Sequence, residues 1–349
     1  MRNFIILAAA LGLTGVAQAQ SSATVDQTGT SNDATVTQSG GATIDITQGD
    51  NANEATATQV GASTATVVQS STAQPNSTGG HEVTIQQIGG DGNFIDFRQS
   101  FGTGGQGPKG AHTADLFQDG NDNRISGAAD VSEADGFDPA FQNSRSDLDA
   151  EVDQIGDRNV TEFSNGNPLS VLQQGDDNYA LANGGASDID QIGDFNDAQN
   201  RGASATIYQE GDQNDASVQG GFAGSRHTVD INQLGDFNLA QASGDPRGGS
   251  TTVDQDGDYN SATMDYGNAG NRDASGVDYD VTQDAGAFGA MGASNSFDAT
   301  VRGQNNTATI SQTLTAAGAN SITLSQLSDG NTATLSQTGS GNTQTVTQQ

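Results

Sequence analysis

Three groups of residues in this sequence have types and spacings that could do chemistry. Asp157, Asp176, Asp194, Asp212, Asp236 and Asp258 each directly follow a glycine at recurring places along the chain. Brought into one column with turn carbonyls, such carboxylates form the hard oxygen set that suits Ca²⁺. Gly-Asp is equally ordinary chemistry for a solvated turn, and the pattern is not the Gly-Gly-x-Gly-x-Asp nonapeptide of calcium-binding β-rolls. The second group is His81, His112 and His227, scattered through Gly- or Thr-rich contexts with no second ligand at metal spacing. They read as solvated loop residues. The third, Gly102-Thr103-Gly104-Gly105-Gln106-Gly107, satisfies G-x-G-x-x-G. A dinucleotide site needs a strand before that motif and a helix after it, whereas here Pro108 follows at once, so a loop is expected. With 43 Asp and Glu in the chain, carboxylate pairs arise from composition alone. The best enzymatic rival, a β-helical polysaccharide-degrading enzyme, wants basic and aromatic residues to hold a sugar. The chain has only 11 Lys and Arg and 5% aromatics, so no catalytic residue is assigned and no enzyme is expected.

The chemistry that does repeat is the side-chain amide. The unit apolar-x-Gln-x-Gly-x-x-Asn occurs at Gln27/Asn32, Gln118/Asn123, Gln154/Asn159, Gln173/Asn178, Gln191/Asn196, Gln209/Asn214, Gln233/Asn238, Gln255/Asn260 and Gln337/Asn342. Degenerate copies stand at Gln48, Gln87 and Gln326, and a second Gln follows some copies, as Gln38 follows Gln27. Side chains of a strand alternate between its faces. Ser21, Ala23, Val25 and Gln27 therefore share one face, Gly29 turns the chain, and Asn32, Ala34, Val36 and Gln38 share a face of the returning strand. One such strand–turn–strand unit buries too little to stand alone. Stacked copies bury their inner faces together, and inward Gln and Asn then become each other's partners along the axis. Without such partners a buried amide would cost a few kcal/mol. The fold expected is an all-β repeat solenoid with structural ladders through Gln27, Asn32, Gln38, Gln154, Asn159, Gln173, Asn178, Gln191, Asn196, Gln209, Asn214, Gln233, Asn238, Gln255, Asn260, Gln337 and Asn342. Thr-x-Thr pairs such as Thr35/Thr37 and Thr332/Thr334 would form outward rows, good β-formers on a solvent face.

Composition and the N-terminus place the chain. Met1-Arg2-Asn3, the apolar run Phe4 to Val16 and Ala17-Gln18-Ala19 have the form of a secretory signal peptide over 1–19. The run is too short for a membrane span, so the product is expected outside the cytoplasm and not embedded in a bilayer. There is no Cys to staple it, and at 32% hydrophobic residues a conventional core is not expected. A net charge of −32 argues against nucleic acid and anionic lipid as partners. No linker divides residues 20–349. The span 71–150 reads as irregular, with loop insertions: a Pro/Ser/Thr/Gly stretch around Pro75, Gly102 to Gly110, and the acidic Ala128 to Asp149.

The repeats resemble those of the curlin family, the subunits of bacterial curli fibres. The family pattern Ser-x5-Gln-x-Gly-x2-Asn-x-Ala-x3-Gln is met by Ser21, Gln27, Gly29, Asn32, Ala34 and Gln38. Gln326, Asn331, Ala333 and Gln337 meet it with Ser328 at the Gly position. The resemblance implies an extracellular amyloid subunit at the cell surface, a fimbrium supporting adhesion and biofilm matrix. It also implies self-association into fibres, nucleation by a related minor subunit and export through an outer-membrane pore. The alternative is a secreted solenoid that stays monomeric and binds calcium or a surface.

Overall fold

A computed structural model describes residues 20–50, 52–71, 81–100, 113–129, 149–164, 169–183, 187–201, 204–219, 227–244, 249–266, 277–286, 294–302 and 305–349. The leader, the Pro75 stretch, the Gly102–Gly110 stretch, His112 and nearly all of the acidic stretch lie outside them. All regular structure among the described residues is strand. No helix there is long and apolar enough to cross a membrane. The chain divides into two compact units, Met1–Pro168 and Leu169–Gln349.

In the first unit β1 (Ser22–Gln27), β3 (Thr43–Asp50), β5 (Thr64–Ser71), β7 (Phe94–Ser100), β9 (Arg124–Ala129) and β11 (Val160–Ser164) form one sheet in that order. A second sheet orders β2 (Asp33–Ser39), β4 (Glu54–Val60), β6 (Glu82–Ile88), β8 (Thr113–Asp119) and β10 (Asp149–Ile155). The second unit repeats the plan. One sheet orders β13 (Tyr179–Asn183), β15 (Asp197–Gln199), β17 (Asp215–Gln219), β19 (Leu239–Gly244), β21 (Ser261–Tyr266), β23 (Asn295–Val301), β25 (Asn320–Gln326) and β27 (Thr343–Gln348). The other orders β12 (Leu169–Gln174), β14 (Ser187–Ile192), β16 (Ser204–Glu210), β18 (His227–Leu234), β20 (Gly249–Gly257), β22 (Val277–Gly286), β24 (Thr307–Leu314) and β26 (Thr332–Gly339). Each strand thus pairs, in parallel, with the strand two places away in sequence. That is the signature of a β-solenoid in which each coil gives one strand to each sheet.

Alternation decides what the coils bury. In β3, Ile44, Ile46 and Gln48 are all but inaccessible while Thr43, Asp45 and Thr47 face water. In β16, Ala205, Ile207 and Gln209 are buried the same way. The inner rows rely on Ala, Val and Ile, branched or small side chains that suit a pleated surface. Where a large ring enters, a neighbour shrinks. Phe97 and Phe163 lie 5.9 Å apart between ring centroids, and the strand between them places Gly127 in register with both. A Cβ at Gly127 would come within 2.3 Å of the Phe163 ring.

The span 71–150 contributes β6 to β9 among its described residues, in register with their neighbours. Its strands keep the inner alternation, Val83/Ile85/Gln87 and Ile95/Phe97/Gln99. What departs from the repeat is the turn Gly89-Gly90-Asp91-Gly92-Asn93, one residue longer than the motif allows. In the first unit the longest connections in sequence fall between β5 and β6, β7 and β8, and β9 and β10, each from an odd-numbered strand to the next even one. The opposite edge of the coil joins even-numbered strands to the next odd ones.

That opposite edge carries the tight turns, and coil-to-coil contact there is close. Gly193 has φ +118°, and a Cβ built on it would lie 2.2 Å from the Gly211 carbonyl oxygen of the next coil. Gly330 also has positive φ, +72°, but open space around it. Gly330→Ala therefore carries only the left-handed penalty of about 1–2 kcal/mol. Gly193→Ala adds a backbone clash and is expected to destabilise by at least about 3 kcal/mol. Chemical denaturation of the two variants checks the contrast.

Candidate functional site

A buried primary amide has two N–H donors and a carbonyl acceptor to satisfy. In the second unit one column satisfies them all by the same rule. Gln173 Nε2 donates to Gln191 Oε1 (2.8 Å), Gln191 to Gln209 (2.9 Å), Gln209 to Gln233 (2.8 Å) and Gln233 to Gln255 (2.8 Å). The column continues through Gln283 and Gln312 to Gln337. The second N–H reaches across the coil to a backbone carbonyl on the facing strand: Gln191 to Tyr179, Gln209 to Asp197, Gln233 to Asp215 and Gln255 to Leu239, at 2.9–3.1 Å. Each Gln therefore ties its coil to the next and its own sheet to the opposite one. The first unit has two such columns. One runs Gln27, Gln48, Gln69, Gln99, and the other Gln38, Gln59, Gln87, Gln118, Gln154. Gln27 is exposed and Gln38 half-buried, because they belong to the first coil.

Asn forms the second kind of column, at the turns. The backbone N–H of Asn196 donates to Asn178 Oδ1 (2.9 Å), Asn214 to Asn196 (3.0 Å), Asn238 to Asn214 (3.0 Å) and Asn260 to Asn238 (2.9 Å). Asn178 and Asn196 also donate to the glycine carbonyl of the next turn. In the first unit Asn53 bonds to Asn32, Asn123 to Asn93 and Asn159 to Asn123 in the same way. Asn342 does so with Asn320 at the C-terminal end. His81 occupies an Asn place in this ladder. It is fully buried, with its N–H on Asn53 Oδ1. The sequence context suggested a solvated residue, but the fold puts it inside, because it takes the turn position between β5 and β6. His227 opens β18.

The aspartates that follow the turn glycines also form a ladder. Asp176 N–H donates to Asp194 Oδ1, Asp194 to Asp212, Asp212 to Asp236 and Asp236 to Asp258, at 2.8–2.9 Å. In the first unit Asn121 N–H donates to Asp157 Oδ1 at 2.8 Å. One oxygen of each carboxylate thus caps a backbone N–H of the preceding coil, which gives acid at this place a structural reason. Among the described residues no group of three or more His, Cys, Asp or Glu is arranged to hold a metal ion.

Several ladder members lack the full turn motif. Gln69, Gln99, Gln283 and Gln312 are fully buried column members. The signal that finds them is shorter, an inward apolar residue two before the Gln: Val67, Phe97, Val281 and Ile310. In the second unit the Gln place of the odd-numbered sheet is filled by Tyr266 and Val301 before Gln326 and Gln348. The Tyr266 hydroxyl bonds to Thr251, and Tyr279 OH donates to Gln326 Oε1.

A family model, the curlin associated repeat, matches residues 201–235 and 319–349. Over these two segments the chain is similar to the curlin associated repeat. The first matched segment contains Gln209, Gly211, Asn214 and Gln233, and the second contains Gln326, Asn331, Gln337, Asn342 and Gln348. The two matched segments carry both ladders, and the other coils carry the same geometry. No curated protein matches the chain. The repeat match supports, in general terms, a subunit of the curli-like fibre type.

Charge works against the stack. Burial, then Asp188, raises the Asp190 carboxyl above its ordinary value, and burial, then Asp197, raises Asp215. Burial, then Glu151 and Asp115, raises Asp153, and burial raises Asp197. A carboxyl raised on folding binds its proton more tightly in the folded chain than in the unfolded one. Stability therefore increases as pH falls through the raised values and levels off below the ordinary value of 3.8. A melting temperature higher at about pH 4 than at neutral pH is expected. The amides give a second expectation. Gln209→Leu leaves Asp197 O and Gln233 Oε1 without a donor and Gln191 without an acceptor, and should cost at least about 3 kcal/mol. Gln348→Leu, on the last coil where water reaches, should cost about 1 kcal/mol or less. Denaturant titration reads both.

Proposed function

We propose that this chain is an extracellular structural subunit that associates with copies of itself into curli-like fibres, and that these fibres support adhesion and biofilm matrix. The observation that carries the reading is the match between its two open ends. Among the described residues β1 and β2 are paired on one side only, as are β26 and β27. Open sheet edges template another chain. Laid on the β1 of a second copy, β26 would set Ala333 on Ala23, Leu335 on Val25 and Gln337 on Gln27. Likewise β27 on β2 would set Val346 on Val36 and Gln348 on Gln38. The polarity agrees as well. Within the stack each column Gln donates toward the later coil and each Asn of the turn ladder accepts from it. Gln337 and Gln348 would donate to Gln27 and Gln38 of the next copy, whose Asn32 N–H would donate to Asn342.

The acidic rows belong to the same reading. Like charges about 5 Å apart repel by about 0.8 kcal/mol even in water, before screening. Asp26 on the first coil and the acids of the middle coils would hold the chain soluble during export, and the acid-poor Thr343–Gln348 edge would be the growing end. A related nucleating subunit and an outer-membrane pore complete the proposal as partners.

The experiment is assembly of the purified chain followed by dye binding and fibre diffraction. Fibres with a reflection near 4.8 Å along the axis are expected. Thr345→Pro removes a ladder donor from the open edge and should slow elongation by at least about tenfold. A chain that stays monomeric, with a melting temperature raised by Ca²⁺ at the Asp column, would sink the fibre reading in favour of a calcium-binding solenoid.

A further inference from the structure

The tight turns of the second unit present an unusual row. Phe195, Phe237 and Tyr259 hold the same place in their turns, each directly after a ladder aspartate, with φ of 60°, 59° and 60°. Bulky residues are genuine outliers in that region, which Gly, Asn and Asp occupy far more readily. Asp177 fills the same place in the coil before Phe195, and Gln213 in the coil between Phe195 and Phe237, so the turn accepts polar residues. The rings also face water: Phe195 is 56% and Phe237 39% exposed, among the most exposed large apolar residues described. Phe237 and Tyr259 stack at 4.8 Å between centroids, 6° from parallel. Three aromatic residues are thus held in a disfavoured conformation, on a hydrogen-bonded edge, and none of them is buried. Strain of this kind collects at binding sites.

We propose that this edge is a docking strip for an extended, arginine-bearing peptide segment, with guanidinium groups on the rings and paired to the adjacent carboxylates. Charge complementarity selects the occupant. The five turns from Gly175 to Asn260 contain Asp176, Asp177, Asp194, Asp212, Asp236 and Asp258 and no Lys or Arg. A second copy of the same edge would set acid against acid, and a polyanion would be repelled. Guanidinium is the cation that both stacks on an aromatic face and forms forked bonds to a carboxylate. The spacing also fits. Phe195 and Phe237 are two coils apart, on the order of 10 Å. A polyproline II segment brings every third side chain to one face, about every 9 Å. The strip goes beyond fibre formation and does not depend on it.

The test uses the full chain and a proline-rich peptide with arginine at every third position, beside its lysine analogue, at physiological salt. The arginine peptide should bind at least about tenfold more tightly than the lysine one. In Phe195→Asn/Phe237→Asn/Tyr259→Asn, whose net charge is unchanged, that preference should vanish while the melting temperature holds or rises, since Asn tolerates positive φ. If the triple variant melts early, Phe195→Asn alone, whose ring has no aromatic neighbour in the turn column, carries the test. Asp194→Asn/Asp236→Asn keeps the ladder acceptors and should weaken both peptides alike. Equal binding of the two peptides, or a preference that survives loss of the rings, overturns the proposal as mere attraction to an acidic chain. Ring-dependent binding of a neutral oligosaccharide without any arginine preference overturns it in favour of a sugar strip.

Discussion

A glutamine amide buried in a narrow, dry interior must have every donor and acceptor matched, and that requirement organises the whole chain. Each column Gln matches one N–H with the next coil and the other with the facing strand of its own coil. The first bond sets the register between coils, and the second holds the two sheets together where Ala and Val alone would bury little area. Removing one amide disturbs a column and a cross-link at once. The same requirement explains why a chain with 32% hydrophobic residues has an interior at all. Its core combines hydrogen bonds with hydrocarbon, and the bonds along the axis exist only because a second coil is present.

The turns extend the principle to the edge of the coil. Asn receives a backbone N–H from the next coil, and Asp receives one from the preceding coil. Bonds run both ways along the axis, so the edge is bound as firmly as the sheets. Glycine at the turn follows from this closeness, since the next carbonyl leaves no room for a Cβ. The price of acid at this place is repulsion along the column. The carboxylates with raised proton affinity, Asp153, Asp190, Asp197 and Asp215, lie on the strands and mark where repulsion and burial combine.

These bonds point along one axis and repeat, so nothing in them limits the stack to a single chain. The first and last coils offer the same residues in the same register as interior coils. An open end of this type is at once the least satisfied part of the fold and the part best matched to another copy. The aromatic turn row lies to the side of the axis, away from the stacking surface.

Alternation and the Gln-x-Gly-x-x-Asn spacing lie within one coil, so they are legible along the sequence. They determined the all-β class, the solenoid, and the resemblance to curlin repeats. The partners of those residues lie in other coils, at separations of 18, 24, 22, 28 and 29 residues along a single column. With spacing that uneven, no period in the sequence aligns Gln283 or Gln312 with Gln209; only the stacking does. The same holds for His81, whose flanks read as a loop and whose place in the Asn ladder follows from the coils on either side. It holds for the Asp ladder too, where the sequence shows carboxylates in a row and the backbone N–H groups that occupy them come from neighbouring coils. What a coil contains is written locally; what satisfies it is decided by the coil that lands on top, because a hydrogen bond along the axis has no sequence separation of its own.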